Sequence, residues 1–245
     1  MKILILLTLS LLLYTNSFAF EKTDTTFNND LNNDGKTELI SIKVNEEEGT
    51  YVLSVNDSKF FHLAESTSDL RATVVRINYA KYLMVMNMAY YGFETVLYEY
   101  DKKIDSIGQF WSLDIPVVEE SGIIKVNNWM GFWSADYEYH MIDKKLIPMY
   151  KTEYTIPENV KENDIKTSAS LFLRPEKSES SKSNIEIKPN TQIFIIKADI
   201  QYKCKSPDEW EDGCNWYYIK SKDDRTGWIM LKDFQDKVEG IPWAG

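Results

Sequence analysis

Apolar and polar residues alternate with period two over much of this chain. Ile40, Ile42 and Val44 interleave with Ser41 and Lys43, and Tyr51, Leu53 and Val55 interleave with Val52 and Ser54. That period is the mark of a strand with one buried face. Residues 73–77 read as a further strand, and residues 82–91 as a buried one. Turn residues separate these runs at Glu48-Gly49, Asn56-Asp57-Ser58, Gly92, Asp101-Lys102-Lys103, Gly122, Gly131 and Asp143-Lys144-Lys145. No stretch carries a long helical period with caps. Residues 63–70 are the best helical candidate, and they are few. The expected fold is all-β.

Part of the pattern recurs. Gly92-Phe93 and Tyr98-Glu99-Tyr100 reappear 39 residues later as Gly131-Phe132 and Tyr137-Glu138-Tyr139, while Asp101-Lys102-Lys103 reappears 42 residues on, at Asp143-Lys144-Lys145. Residues 40–61 read as a degenerate first copy. A period near 40 residues is that of a propeller blade, but three copies are few for a closed propeller. Similar hairpins in a sandwich fit equally well.

The first residues follow another pattern. Lys2 precedes an apolar run over residues 3–13, polarity rises through Tyr14-Thr15-Asn16, and Ser17-Phe18-Ala19 offers small residues to a signal peptidase. Residues 1–19 are therefore expected to be a cleaved signal peptide, the run being too short for a membrane span of about 20 residues. The protein is then periplasmic or secreted, with no membrane span after cleavage.

Charge narrows the partners. The whole chain carries a net charge of −10. Loss of the leader removes one lysine and no acid, leaving 27 basic against 38 acidic side chains, a net −11. Such a surface repels phosphate backbones, so nucleic acid is not an expected partner. The two cysteines, Cys204 and Cys214, flank a short polar loop. Outside the cytoplasm a close pair becomes a disulfide. A cysteine nucleophile would need a histidine base, and the only histidines, His62 and His140, lie in the other half of the chain.

Asp30-Leu31-Asn32-Asn33-Asp34-Gly35-Lys36-Thr37-Glu38 is the sharpest local motif. Side-chain oxygens fall at Asp30, Asn32, Asp34 and Glu38, and the carbonyl of Lys36 adds another. Alternate positions on a tight loop aim hard oxygen donors inward, as Ca²⁺ requires. An EF-hand would place a bidentate Glu where Ser41 stands, and strands flank the loop. The segment instead resembles the calcium loops of FG-GAP, VCBS and integrin-type β-repeats. That resemblance implies Ca²⁺ as a bound ion; an Asn-Asp-Gly turn without metal is the plain alternative.

Residues 155–166 are charged, contain few apolar residues and read as a linker between a β-rich domain (20–154) and a C-terminal module (167–240). In that module Ala169-Ser170-Leu171-Phe172-Leu173-Arg174-Pro175 makes an opening strand, and Ile185-Glu186-Ile187-Lys188-Pro189-Asn190-Thr191 a strand and turn. Trp216-Tyr217-Tyr218-Ile219 and Thr226-Gly227-Trp228-Ile229 make two more strands. Together these resemble bacterial SH3 (SH3b) domains, with Asn190 where glycine is usual. The resemblance implies an SH3-like small barrel and a ligand groove at Phe172, Arg174, Trp216, Tyr218 and Trp228. Phe172 and Pro175 depart from the family pattern at the groove lip, so the ligand type does not carry over.

Other groups read more plainly. Met84, Met86 and Met88 share a face, as core filler or, less simply, as Cu(I) ligands. Trp129-Met130-Gly131-Phe132-Trp133 offers rings for a core or for gripping a sugar or partner chain. Glu46-Glu47-Glu48 and Glu119-Glu120 read as solvated turns. No catalytic constellation is visible. The expected function is that of an exported, non-enzymatic envelope protein binding a cell-wall (peptidoglycan) peptide or an envelope protein. The alternatives are an accessory or targeting subunit of a cell-wall hydrolase, or an inhibitor of a basic enzyme such as lysozyme.

Overall fold

The computed structural model describes residues 25–45, 47–63, 70–89, 92–161, 163–204, 206 and 211–242. The expected signal peptide lies outside the described residues, as does most of the 63–70 helical candidate.

Three four-stranded antiparallel sheets follow one another along the chain. The first joins β1 (Thr25–Asn29), β2 (Glu38–Asn45), β3 (Thr50–Val55) and β4 (Ser58–Leu63). The second joins β5 (Leu70–Ile77), β6 (Ala80–Ala89), β7 (Gly92–Asp101) and β8 (Lys103–Ser112). The third joins β9 (Val117–Val118), β10 (Ile123–Trp129), β11 (Ser134–Ile142) and β12 (Lys145–Met149). All three are meanders, with neighbours in sequence paired. The third strand of each begins at Thr50, Gly92 and Ser134, a spacing of 42 residues.

Tight turns set the registers. Asn78 and Tyr79 both have positive φ between the paired residues Ile77 and Ala80. Asp143 and Lys144 do the same between Ile142 and Lys145. Two consecutive left-handed residues match the twist of the flanking strands.

The sheets stack, and the second is buried on both faces. Leu83, Val85, Val96 and Tyr98 point toward the first sheet and join Ile40, Ile42, Tyr51 and Leu53. From the other face, Tyr82, Met84, Met86 and Leu97 join Ile124, Val126, Tyr137 and Met141 of the third. The methionine stripe is thus core at Met84 and Met86, while Met88 at the strand end is 41% exposed.

The rest of the chain is built from short strands. These are β13 (Tyr154–Thr155), β14 (Lys166–Thr167), β15 (Leu171–Leu173), β16 (Ile185–Ile187), β17 (Ile193–Asp199), β18 (Trp216–Ser221), β19 (Thr226–Met230) and β20 (Val238–Glu239). The short helices α1 (Glu158–Lys161) and α2 (Leu231–Phe234) lie among them. β13, β17, β18 and β19 form one sheet, β15 pairs β16, and β14 pairs β20. A two-way backbone bond between Arg174 and Trp228, at 2.8 and 2.7 Å, ties β15 to β19. Gly227 permits that approach, because a Cβ there would stand 2.7 Å from the Leu173 side chain and 2.8 Å from the Arg174 carbonyl. Asn190 takes the left-handed conformation, φ 59°.

The described residues of 155–166 are folded into this unit. Ile156, Val160 and Ile165 are buried in its core, and β13 pairs with β17. That core is continuous with the one between the second and third sheets. Phe132 and Trp133, at the β10–β11 turn, pack on Tyr217 and Tyr154 respectively.

Candidate functional site

The calcium-type loop connects β1 to β2, where Asn29 pairs with Glu38 and closes its base. Its oxygens are turned inward by backbone donors. Gly35 N–H donates to Asp30 Oδ2 at 3.3 Å, Asp34 N–H to Asn32 Oδ1 at 3.1 Å, and Lys36 N–H to Asp34 Oδ1 at 2.8 Å. Buried Glu38 accepts from Leu31 N–H at 2.7 Å. Asn33 and Gly35 have positive φ, which lets the chain curl this tightly.

One oxygen has no partner: Asp30 Oδ1 is buried without a hydrogen bond. The donor set is all oxygen, which suits a hard cation. A competing charge stands beside it, however. Lys81 Nζ, from β6 of the second sheet, donates to the Asp30 carbonyl and lies 3.9 Å from Asp30 Oδ2. Among the described residues, no group of three or more His, Cys, Asp and Glu side chains is disposed to hold a metal ion. Ser41 sits on β2, paired with Thr26 and Ser54 and away from the loop.

A second site lies on the C-terminal unit. Tyr218 on β18 pairs with Trp228 on β19, and Trp216 with Met230. The period of two therefore puts Trp216, Tyr218, Trp228 and Met230 on one face. They form a small cluster with Cys214, against which Cys204 packs. Cys204 and Cys214 are disulfide-bonded, with Cα atoms 5.1 Å apart. The Tyr218 and Trp228 rings meet edge to face at 5.2 Å, and Tyr202 meets Trp216 in the same way at 6.4 Å.

Two lysines cover these rings. Lys177 Nζ lies 5.3 Å from the Trp228 centroid and 6.0 Å from that of Tyr202. Lys197 Nζ lies 5.2 Å from both Tyr218 and Trp228. Each lysine is also held by an acid: Lys177 by the buried Asp199, Lys197 by Glu153 at 2.6 Å. Arg174 faces the loop that follows β15, donating to the carbonyls of Glu179, at 3.0 Å, and Ser181. Phe172, two residues before it, is 49% exposed.

Three of the five residues expected at a groove, Trp216, Tyr218 and Trp228, are thus brought together. Trp216 is buried beneath the others, Arg174 braces a loop, and Phe172 stands in solvent. Sequence reading missed Lys177, Lys197 and Tyr202. Their charge and ring carry no local signal, since strand pairing sets Lys197 of β17 beside Tyr218 and the fold of the loops brings in Lys177 and Tyr202. Comparison of the chain with protein-family models, with curated proteins and with solved structures finds no match.

Proposed function

We propose that this chain is an exported, non-enzymatic binding protein of the cell envelope, and that the aromatic and lysine face of its C-terminal unit holds a cell-wall peptide or an envelope protein. The observation that carries this reading is the set Tyr202, Tyr218 and Trp228 under Lys177 and Lys197. Rings supply contact area at low conformational cost, and a partly exposed ammonium beside them can share its charge between its own acid and a ligand's carboxylate. Peptides bearing free carboxylates, as wall peptides do, match that chemistry. The likeness to SH3b domains supports the same face. Export is supported by the disulfide, which belongs to an oxidising compartment, and by the leader-like residues 1–19. Among the described residues no helix is long and apolar enough to cross a membrane.

The first sheet, in this reading, is braced by Ca²⁺ held by Asp30, Asn32, Asp34, the Lys36 carbonyl and Glu38. The buried, unpartnered Asp30 Oδ1 supports it. The net charge of −10 favours a second reading, inhibition of a basic enzyme such as lysozyme.

Sedimentation with purified insoluble peptidoglycan tests the first reading. The wild-type chain should co-sediment, and Lys177→Ala/Lys197→Ala should stay in the supernatant while remaining folded. Equal retention of both proteins removes this face from the function. Inhibition of lysozyme with no retention on the wall would favour the second reading.

A further inference from the structure

Three polar side chains converge between the first and second sheets, at a place neither site above uses. Asn87 on β6 lies directly opposite Glu94 on β7, and cross-strand partners of this kind have Cβ atoms about 5 Å apart. Their face is the one that carries Leu83, Val85, Val96 and Tyr98 into the core with the first sheet. His62 reaches the same spot from β4, its ring 5.1 Å from that of Tyr51. His62 Nε2 stands 3.5 Å from Glu94 Oε1.

Each of the three leaves a buried polar atom unpartnered. His62 Nε2, both amide atoms of Asn87 and Glu94 Oε2 are buried without a hydrogen-bond partner. Asn87 is 2% exposed and Glu94 7%. Each orphaned buried group is costly, and native proteins hold few of them. Four such atoms in one spot call for an occupant.

The donors identify its class. They are an imidazole nitrogen, a carboxylate and an amide oxygen, and among the described residues no lysine or arginine is paired with Glu94. Two donors bound to one tetrahedral zinc ion at about 2.0–2.1 Å each stand roughly 3.3–3.4 Å apart. That is close to the His62–Glu94 separation, which is long for a hydrogen bond. The chain's other histidine provides a contrast. His140 Nε2 lies 3.1 Å from Glu138 Oε2 on the less buried face of β11, an ordinary, partly exposed hydrogen bond.

We propose that His62, Glu94 and Asn87 form a site for a divalent transition-metal ion of the zinc class, independent of the calcium-type loop and of the C-terminal face. Neutral imidazole and carboxylate supply the strong bonds, the Asn87 amide oxygen a third, and water the fourth. Imidazole selects this class over Ca²⁺. The ion would pin β4, the edge strand of the first sheet, to the second sheet.

Calorimetric titration of the full chain, purified without a polyhistidine tag, with Zn²⁺ alone is the test. One ion per chain should bind and raise the melting temperature, and a large excess of Ca²⁺ should not displace it. His62→Gln and Glu94→Gln should each weaken binding by at least about tenfold, and His140→Gln should leave it unchanged. Asn87→Asp replaces a neutral donor with a charged one and should tighten binding, which keeps the test decisive if the other variants fold poorly. Co²⁺ at the site should give the visible absorption of tetrahedral nitrogen and oxygen ligation. No saturable binding, or binding that survives His62→Gln but not His140→Gln, would overturn the proposal and leave the cluster to buried water.

Discussion

The indole Nε1 of Trp133 donates to the hydroxyl of Tyr217 at 3.2 Å, across 84 residues of chain. The same hydroxyl donates to the Met130 carbonyl at 3.3 Å. These bonds lie inside the core shared by the third sheet and the C-terminal unit, where burial pushes the Tyr217 phenol up and the Trp133 N–H draws it partly back. The two halves should therefore unfold together. Urea denaturation followed by fluorescence and by far-UV circular dichroism should give coincident single transitions. Trp133→Phe should cost about 1–3 kcal/mol, the penalty of stripping a partner from a buried polar group. Two separated transitions in the wild type would refute this coupling.

Alkaline pH should loosen the first two sheets. The Tyr51 and Tyr98 hydroxyls meet 2.7 Å apart in their shared core. Burial is the main cause that raises both phenols, with Tyr98 pushed up to about 12 and Tyr51 moved further in the same direction. A raised phenol favours the neutral folded form, so its stabilisation is complete below the unfolded value near 10 and is lost as pH climbs through the folded value. For Tyr98 alone, two units correspond to about 2–3 kcal/mol. Stability measured from pH 8 to 12 should be flat at first and then fall above about pH 10. In Tyr51→Phe/Tyr98→Phe the fall should be shallower. An identical fall in that variant would assign the effect to other groups.

Calcium binding by the β1–β2 loop should show in the melting of the whole molecule, because the second sheet lines both the core beneath that loop and the core that runs into the C-terminal unit. Binding to the folded state alone stabilises by about 1.4 kcal/mol at ten times Kd. Asp34→Ala should abolish the shift and Ser41→Ala should not. Lys81→Met removes the cation beside Asp30 and should raise calcium affinity about 2–5-fold, equivalent to the ~1 kcal/mol at most of an ion pair as long as 3.9 Å. A melting temperature indifferent to millimolar calcium in both wild type and Lys81→Met would strike the ion from the account.

The Cys204–Cys214 bond ties the chain that leaves β17 to the chain that enters β18, beside Trp216. Native material should label with no thiol reagent until it is reduced. Replacing both cysteines by serine should cost about 2–3 kcal/mol and weaken any ligand held at Trp228 more than it disturbs the three sheets. Free thiols in natively exported protein would contradict the bond.

Gly227→Ala should damage the C-terminal unit, since the added methyl meets Leu173 and the Arg174 carbonyl at 2.7 and 2.8 Å. Overpacking of this kind costs about 1–3 kcal/mol. A variant as stable as the wild type would mean that the β15–β19 contact relaxes freely.

Local chemistry made much of this architecture legible in advance. Alternation at Ile40, Ile42 and Val44 and at Tyr51, Leu53 and Val55 marks β2 and β3, because side chains two apart on a strand share a face. Asp143 and Lys144 are read as a turn and are one, with both residues left-handed. Cys204 and Cys214 are close enough in sequence for their pairing to follow from compartment alone. The oxygens from Asp30 to Glu38 likewise state their loop before any fold is known.

Tertiary structure decided what period two leaves open. Alternation says that Met84 and Met86 share a face and that Leu83 and Val85 share the other, but both faces are buried because the second sheet lies between two others. The charged residues 155–166 read as a linker, and Ile156, Val160 and Ile165 within them enter a core that only the later strands complete. Lys81 meets Asp30, Trp133 meets Tyr217, and His62 meets Glu94 across separations of 51, 84 and 32 residues. No local pattern encodes such meetings. They depend on which sheet stacks on which, and that is settled by apolar surface buried over the whole molecule, with the polar side chains carried to wherever the packed strands place them.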